Sequence, residues 1–384
     1  MKNIYLLISI FIINFVFGQP TATYYNNATG TGLTLKTQLK TIITNGHVDQ
    51  GYGSLWNLYD NTAFRDNDYE NDGTLLDLYS EKSNATDAYN YSNGSQQCGN
   101  IATEGSCYNR EHLIPQSYFD NTAVNPMKND PHHVKPSDGK VNGWRNNYPF
   151  GVVEVLTVSS PCNSGATNMP CNSTNGSKKG LNKNSGYSSG YSGIVFEPID
   201  EFKGDVARSF FYFATRYENQ MSQFYTDGTA EAKVMFDGTN NNAFSTTFLE
   251  ILKQWHLLDP VSPHEIAANN AIFNYQGNRN PFIDNPSYVT AIWGQPTFLE
   301  IANFNILNSI SVYPNPSYDK SINIHTDVII DEIILINVNG QIMQNIKKPL
   351  MNDKNFILEN LSSGFYFLKL TTENQTITKK IIVN

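Results

Sequence analysis

The sequence predicts an α+β body of mixed helices and strands, followed by a small all-β sandwich. Three observations predict it. Segments 205–221, 248–258 and 262–276 carry helical spacing. Short strand-like pieces, NREHLIP at 109–115 and the β-branched VVEVLTV at 152–158, are interspersed with loops rich in Gly, Asn and Ser. Beyond Trp293 the chain changes to short alternating runs separated by Gly, Asn and Asp, the pattern of a small sandwich.

Taken in order, Met1 to Gly18 has one early lysine, an apolar run and a small residue at its end, the layout of a cleaved signal peptide over 1–18. A membrane anchor is the alternative, and the run is short for one. In 31–47, Leu33, Leu35, Leu39 and Ile42 predict a helix. The Asp-, Asn-, Tyr- and Gly-rich stretch 46–97 predicts loops with short strands such as LLDLYS at 75–80. NREHLIP predicts a strand ending in a polar cluster. Asp138 and Gly139 predict a turn into a helix, and VVEVLTV a further strand. In 205–221, Val206, Phe210, Phe213 and Tyr217 form one apolar stripe. Pro263 and Glu265 suit the first turn of the helix over 262–276.

The composition, 40% hydrophobic and 16% charged with 22 Tyr and 22 Phe, excludes a disordered chain. Export permits disulfides among Cys98, Cys107, Cys162 and Cys171. Of the three possible pairings, the local one, Cys98 with Cys107 and Cys162 with Cys171, is preferred. Spacing within each set is too wide for a usual four-cysteine zinc site. The net charge of −9 opposes long-range attraction to polyanions. Arg110, Lys128, Lys135, Lys140 and Arg145 nevertheless predict a local basic cleft.

The chemistry is concentrated between Cys107 and Val158. Glu111 can hold a hard cation and a neutral His112 can take a proton from water. The two are adjacent, so they converge on one cleft only at a strand end or bulge. Asn142 can donate an amide oxygen to magnesium, and Arg145 can clamp phosphate oxygens. Asp130, His132 and His133, with His112, leave a zinc hydrolase open as a second reading.

The runs CYNREHLIPQSYF and NDPHHVKPSDGKVNGWRNNYPFG resemble the bacterial endonuclease I family, nonspecific nucleases of the His-Me finger type. So do GIVFEPIDEFKGDVARSFFYFATRY and LLDPVSPHEIAANNAIFNYQGNRNPFIDNP, and together these matches span most of 100–295. The resemblance implies a mixed nuclease body around a ββα-metal (His-Me) finger, in which a hairpin delivers base and ligand and a crossing helix delivers Asn142. It implies His112 as general base, Glu111 and Asn142 as ligands of one Mg2+ (Ca2+ or Mn2+ being alternatives), and Arg145 facing phosphate. Arg110, Asp130 and His132 would support the site. The product would carry a 5' phosphate. The substrate implied is DNA, with RNA left open, bound through backbone phosphates. Asn146, where the family usually has serine, and His133 depart from its pattern and put fine positioning and substrate preference in doubt.

In the tail, VYPNPS at 312–317, NVNG at 337–340, LSSGFYFLKL and KKIIV resemble the sorting domain of the type IX secretion system. The expected organisation is therefore a signal peptide at 1–18, a catalytic domain at 19–300, a linker at 301–309 and a sorting domain at 310–384. The last would engage the outer-membrane secretion machinery and place a monomeric enzyme outside the cell or on its surface. A secreted binding protein that has lost activity is the non-enzyme alternative.

Overall fold

The computed structural model describes residues 23–82, 86–92, 94–99, 103–119, 125–154, 160–161, 171–172, 176–297, 310–326, 329–351, 354–372 and 375–384. The expected signal peptide and linker lie outside the described residues. The chain divides into two compact units, Met1–Leu299 and Glu300–Asn384. Among the described residues no helix is long and apolar enough to cross a membrane.

The first unit opens with α1 (Gly32–Thr44) and α2 (Leu55–Tyr59). The buried stripe of α1 is Leu35, Leu39 and Ile43, while Leu33 is exposed, so the helix is rolled relative to the stripe read from the sequence. LLDLYS is not a strand. It is buried irregular chain whose Asp77 carboxylate accepts from the amides of Tyr79 at 2.9 Å and Asp138 at 2.7 Å.

Strands β1 (Tyr108–His112) and β2 (Val134–Asp138) pair antiparallel, from Tyr108 opposite Asp138 to His112 opposite Val134. Helix α3 (Gly139–Arg145) follows without a separate turn, because Asp138 is itself the cap. Its Oδ1 accepts from the amides of Lys140 at 2.7 Å and Val141 at 2.8 Å. Such a cap contributes about 1 kcal/mol and fixes where the helix begins.

Four short strands, β3 (Ser160–Pro161), β4 (Cys171–Asn172), β5 (Lys178–Leu181) and β6 (Ile194–Glu197), form a sheet in chain order. VVEVLTV does not extend it as a strand over its described part. Val152 and Val153 direct their amides to the side chains of Asn182 and Glu197, leaving one isolated bridge at Val153, and 155–159 lie outside the described residues.

Helix α4 (Lys203–Arg216) is the centre of the unit. Its apolar stripe was expected to face one way, but every residue from Lys203 to Thr215 is buried, because α1 and the later helices enclose it. Those are α5 (Met221–Asp227), α6 (Ala232–Met235), α7 (Thr246–Leu258), α8 (Pro263–Gln276), α9 (Pro281–Asp284) and α10 (Tyr288–Trp293). Its charges are therefore paired internally. Lys203 meets Glu197 and Asp200, each at 2.6 Å, and Arg208 grips Glu265 at 2.6 and 2.5 Å, with Asp205 at 3.3 Å. Helix α8 starts at a capping box of Ser262 and Glu265 with Pro263 in its first turn, as the sequence predicts.

The second unit is all-β. Strands β7 (Ser311–Tyr313), β8 (Ile322–His325), β9 (Glu332–Asn337), β10 (Ile342–Lys347), β11 (Asn355–Leu358), β12 (Gly364–Thr372) and β13 (Gln375–Val383) form two antiparallel sheets, ordered β10-β9-β12-β13 and β11-β8-β7. Alternate residues of both, including Ile322, Ile324, Ile333, Leu335, Leu368 and Ile381, fill one apolar core.

Candidate active site

Glu111 and His112 close β1, and at that strand end both side chains line one cleft of about 550 Å³ together with Asn142 of α3, Arg110, Gln116 and Tyr52. The pairing of β1 with β2 and the start of α3 directly after β2 bring Asn142 to the same cleft.

The tautomer of His112 follows from its surroundings. Nε2 lies 3.0 Å from the Lys128 carbonyl oxygen, which can only accept, so Nε2 carries the proton and Nδ1 keeps the lone pair. The Gln116 amide nitrogen lies 3.2 Å from Nδ1. Burial, reinforced by neighbouring His133, lowers the imidazole to about 3, so it is neutral at physiological pH.

Glu111 is held from behind. Its Oε1 accepts from the Tyr79 hydroxyl at 2.7 Å and from Arg145 Nη1 at 3.1 Å. Burial raises its carboxyl to about 7 against the opposing effects of Arg145 and the Tyr79 bond.

Arg145 lines the same cleft, but its guanidinium is engaged inward. Besides Glu111 it donates to the carbonyls of His112 at 2.9 Å and Leu113 at 2.6 Å, and its side chain is buried. A guanidinium so bound fixes the end of β1 and the Glu111 carboxylate. Lys135 likewise leaves the expected basic cleft, since it lines a separate small cavity with Asp205, His264 and Glu265. Arg110 lines the cleft, and it and neighbouring Lys128 stand against an aromatic wall. Arg110 lies 3.5 Å from the Tyr52 ring centre and 4.2 Å from that of Trp56, and Lys128 Nζ lies 4.9 Å from Tyr52.

Asp130 and His132 sit beneath this surface, in the wall between β2 and α4. Asp130 is fully buried and accepts from Tyr212 at 2.8 Å, Tyr217 at 2.7 Å and Gln276 at 2.9 Å. Burial alone would raise its carboxyl, but His132, His133, His47 and the Gln276 bond hold it below the usual range. His132 Nε2 meets the Asn278 carbonyl at 3.2 Å and His133 Nε2 the Met127 carbonyl at 2.6 Å. Among the described residues no group of three ligand atoms close enough to share a metal ion includes these histidines, so the zinc reading is not realised. Asn278, Arg279 and Asn280 have a structural loop role, for Arg279 binds Asp284 at 2.7 Å and Asn280 bonds the Arg208 carbonyl at 3.1 Å.

Cys98 and Cys107 form a disulfide immediately before β1. Cys162 lies outside the described residues, as does the side chain of Cys171, so the second local pair has no geometry to report.

Sequence reasoning missed Tyr52, Trp56, Tyr79 and Gln116. Gln116 stands four residues after His112, close enough to have been considered. The other three belong to the stretch read only as loops. It also missed the group able to hold a divalent metal ion at Asp66, Glu70 and Glu81, whose oxygens lie within 4.8 Å of one another. That group contains neither Glu111 nor Asn142.

Comparison with known proteins gives two family matches, endonuclease I over residues 31–287 and the secretion system C-terminal sorting domain over 311–384. The extracellular ribonuclease of Bacillus amyloliquefaciens is 33% identical over 276 residues, which cover 71% of this chain and 78% of that protein. The extracellular ribonuclease of Bacillus subtilis is 32% identical over 275 residues, 71% of this chain and 79% of that protein. Endonuclease-1 of Buchnera aphidicola is 24% identical over 157 residues, 41% of this chain and 45% of that protein.

Proposed function

The chain belongs to the endonuclease I family, and from that premise we propose a one-metal, His-dependent mechanism for this secreted, metal-dependent endonuclease. The observation that carries the reading is the strand end at which Glu111 and His112 open onto one cleft with Asn142.

The donor set fits a hard divalent cation. Tyr79 and Arg145 both approach Glu111 through Oε1, and among the described residues Oε2 and the Asn142 amide have no hydrogen-bond partner. A Mg2+ ion held by Glu111 and Asn142 would supply positive charge to the scissile phosphate and the departing 3' oxygen. Ca2+ and Mn2+ suit the same oxygens.

His112 Nδ1 removes a proton from the attacking water, while the Lys128 carbonyl holds the ring in the required tautomer. Gln116 borders the same lone pair and restrains the water. Tyr79 and Arg145 keep the Glu111 carboxylate aimed and favour its ionised form. Arg110 and Lys128 contact backbone phosphates along the wall formed by Tyr52, which makes binding indifferent to base sequence. Asp130 and His132 brace β2 from behind. The β1–β2–α3 unit thus serves as a ββα-metal finger, and cleavage leaves a 5' phosphate.

DNA is the proposed substrate, and RNA is a second one because the contacts are to phosphate. Residues 19–300 are assigned to catalysis and 310–384 to sorting through the outer membrane, joined by 301–309, with the mature enzyme acting as a monomer. The test is digestion of plasmid DNA and structured RNA by the purified full chain, with Mg2+ and with excess chelator. Chelator-sensitive cutting that His112→Ala reduces by roughly 10²- to 10⁴-fold, with little change in DNA affinity, is expected. Unchanged turnover in a folded His112→Ala protein would refute the general-base role.

A further inference from the structure

Outside the cleft, the most unusual chemistry lies in the loops between α2 and the disulfide. Asp66, Glu70 and Glu81 each place a carboxylate oxygen within 4.8 Å of the others, although fifteen residues of sequence separate the first from the last. Asp66 and Glu81 are buried. Proximity of acids is not itself a site, but a second observation points inward. Glu81, only 1% exposed, has its Oε1 without any hydrogen-bond partner, and both carboxylate oxygens of Glu70 are buried and equally unpartnered. An unmatched buried carboxylate costs several kcal/mol, so the Glu70 and Glu81 oxygens are hard to sustain beside a third carboxylate without a compensating cation. Among the described residues no Lys or Arg forms an ion pair with any of them.

We propose that Asp66, Glu70 and Glu81 form a second divalent-cation site, of the Ca2+ class, that fastens the 66–81 loop and is separate from the catalytic cleft. Oxygens bound to one Ca2+ at about 2.4 Å lie at most ~4.8 Å apart, so the three atoms fit within one coordination sphere. Three carboxylates also favour Ca2+ over Mg2+, which usually takes one or two and keeps its waters. Asp66 is already oriented for this role, since its Oδ1 accepts from the amides of Asp68 at 3.2 Å and Tyr69 at 2.9 Å, and its Oδ2 from that of Asp72 at 3.3 Å.

The consequence reaches the active site by a short route. Glu81 follows Tyr79, whose hydroxyl holds Glu111, and Asp77, whose carboxylate holds the amide of Asp138 at the start of α3. A cation that pins Glu81 to Asp66 therefore fixes the loop that supports both catalytic ligands from behind. The site itself does not depend on the nuclease reading.

The experiment is a thermal melt of the purified full chain, stripped with EGTA and titrated with CaCl2 or MgCl2, alongside Glu81→Gln, Glu70→Gln and Glu111→Gln. CaCl2 at about a hundred times its dissociation constant should raise the melting temperature by roughly 5 °C. That rise should vanish in Glu81→Gln and Glu70→Gln and persist in Glu111→Gln. If Glu81→Gln does not fold, Glu70→Gln, at the less buried of the two glutamates, decides. No calcium-dependent rise in the wild type overturns the proposal, and so does a rise that Glu111→Gln abolishes while Glu70→Gln keeps it. DNA cutting, measured separately, reports on the catalytic reading alone.

Discussion

Replacing Tyr79 with Phe removes one hydroxyl from behind the proposed metal ligand and leaves the ring in place. In the native protein that hydroxyl donates to Glu111 Oε1 at 2.7 Å, and both residues are buried. A hydrogen bond to a charged group contributes about 1.5–3 kcal/mol, which corresponds to about one to two pKa units. The bond favours the ionised form, so its loss raises Glu111 further above its native value of about 7. At neutral pH the cation must then displace a proton that is held more tightly. Loss of a group that orients a metal ligand typically weakens metal affinity about 10- to 100-fold. Because Arg145 still holds the same oxygen at 3.1 Å, the ligand should keep its place and the chemical step should survive at saturating Mg2+. The assay is plasmid nicking as a function of Mg2+ concentration at pH 7, with a melt to verify folding. An apparent Mg2+ constant unchanged within twofold in a folded Tyr79→Phe protein would refute the argument that Glu111 binds the metal under control of Tyr79.

Three further outcomes follow from the same geometry. Arg145→Met should cost about 3–5 kcal/mol of stability, read in a urea melt, because it leaves buried Glu111 without its cation; a simple phosphate clamp would instead lose DNA affinity with an unchanged melt. Activity should rise with pH through the acid limb set by Glu111, whose burial-raised carboxyl near 7 must be ionised to bind metal, whereas His112, lowered to about 3, is already neutral there. Raising Mg2+ should therefore shift that limb to lower pH in a rate–pH profile, and a limb indifferent to Mg2+ would assign it to another group. The double substitution Cys98→Ser with Cys107→Ser opens the short loop before β1 and should destabilise the chain by about 3 kcal/mol, measured against the wild type under non-reducing conditions.

Much of the architecture was legible in local signals. Ser262, Pro263 and Glu265 mark the start of α8 because a capping box satisfies its own amides without distant help. Asp138 marks α3 in the same way, and the passage from helical spacing to alternation after Trp293 separates the two units. Misreadings arose where backbone groups were satisfied from afar. The β-branched Val152 and Val153 did not form a strand, since Asn182 and Glu197 side chains took their amides. Glu111, His112 and Asn142 were nominated by residue type and family resemblance, and β1–β2 pairing places all three on one cleft.

The sequence by itself therefore determined the chain's division into an α+β body and an all-β tail and the main helices, nominated Glu111, His112 and Asn142 as candidates, and favoured the Cys98–Cys107 pairing as the local choice. Only the tertiary structure decided where the long charged side chains point. Arg145 turns inward to Glu111 and Lys135 toward Asp205 and Glu265, leaving Arg110 and Lys128 against Tyr52. It also drew Tyr79 behind Glu111 and gathered Asp66, Glu70 and Glu81. The reason is physical. Helix caps and hydrophobic periods act over a few residues, whereas a flexible charged side chain or an aperiodic loop takes its position from partners that only packing brings near.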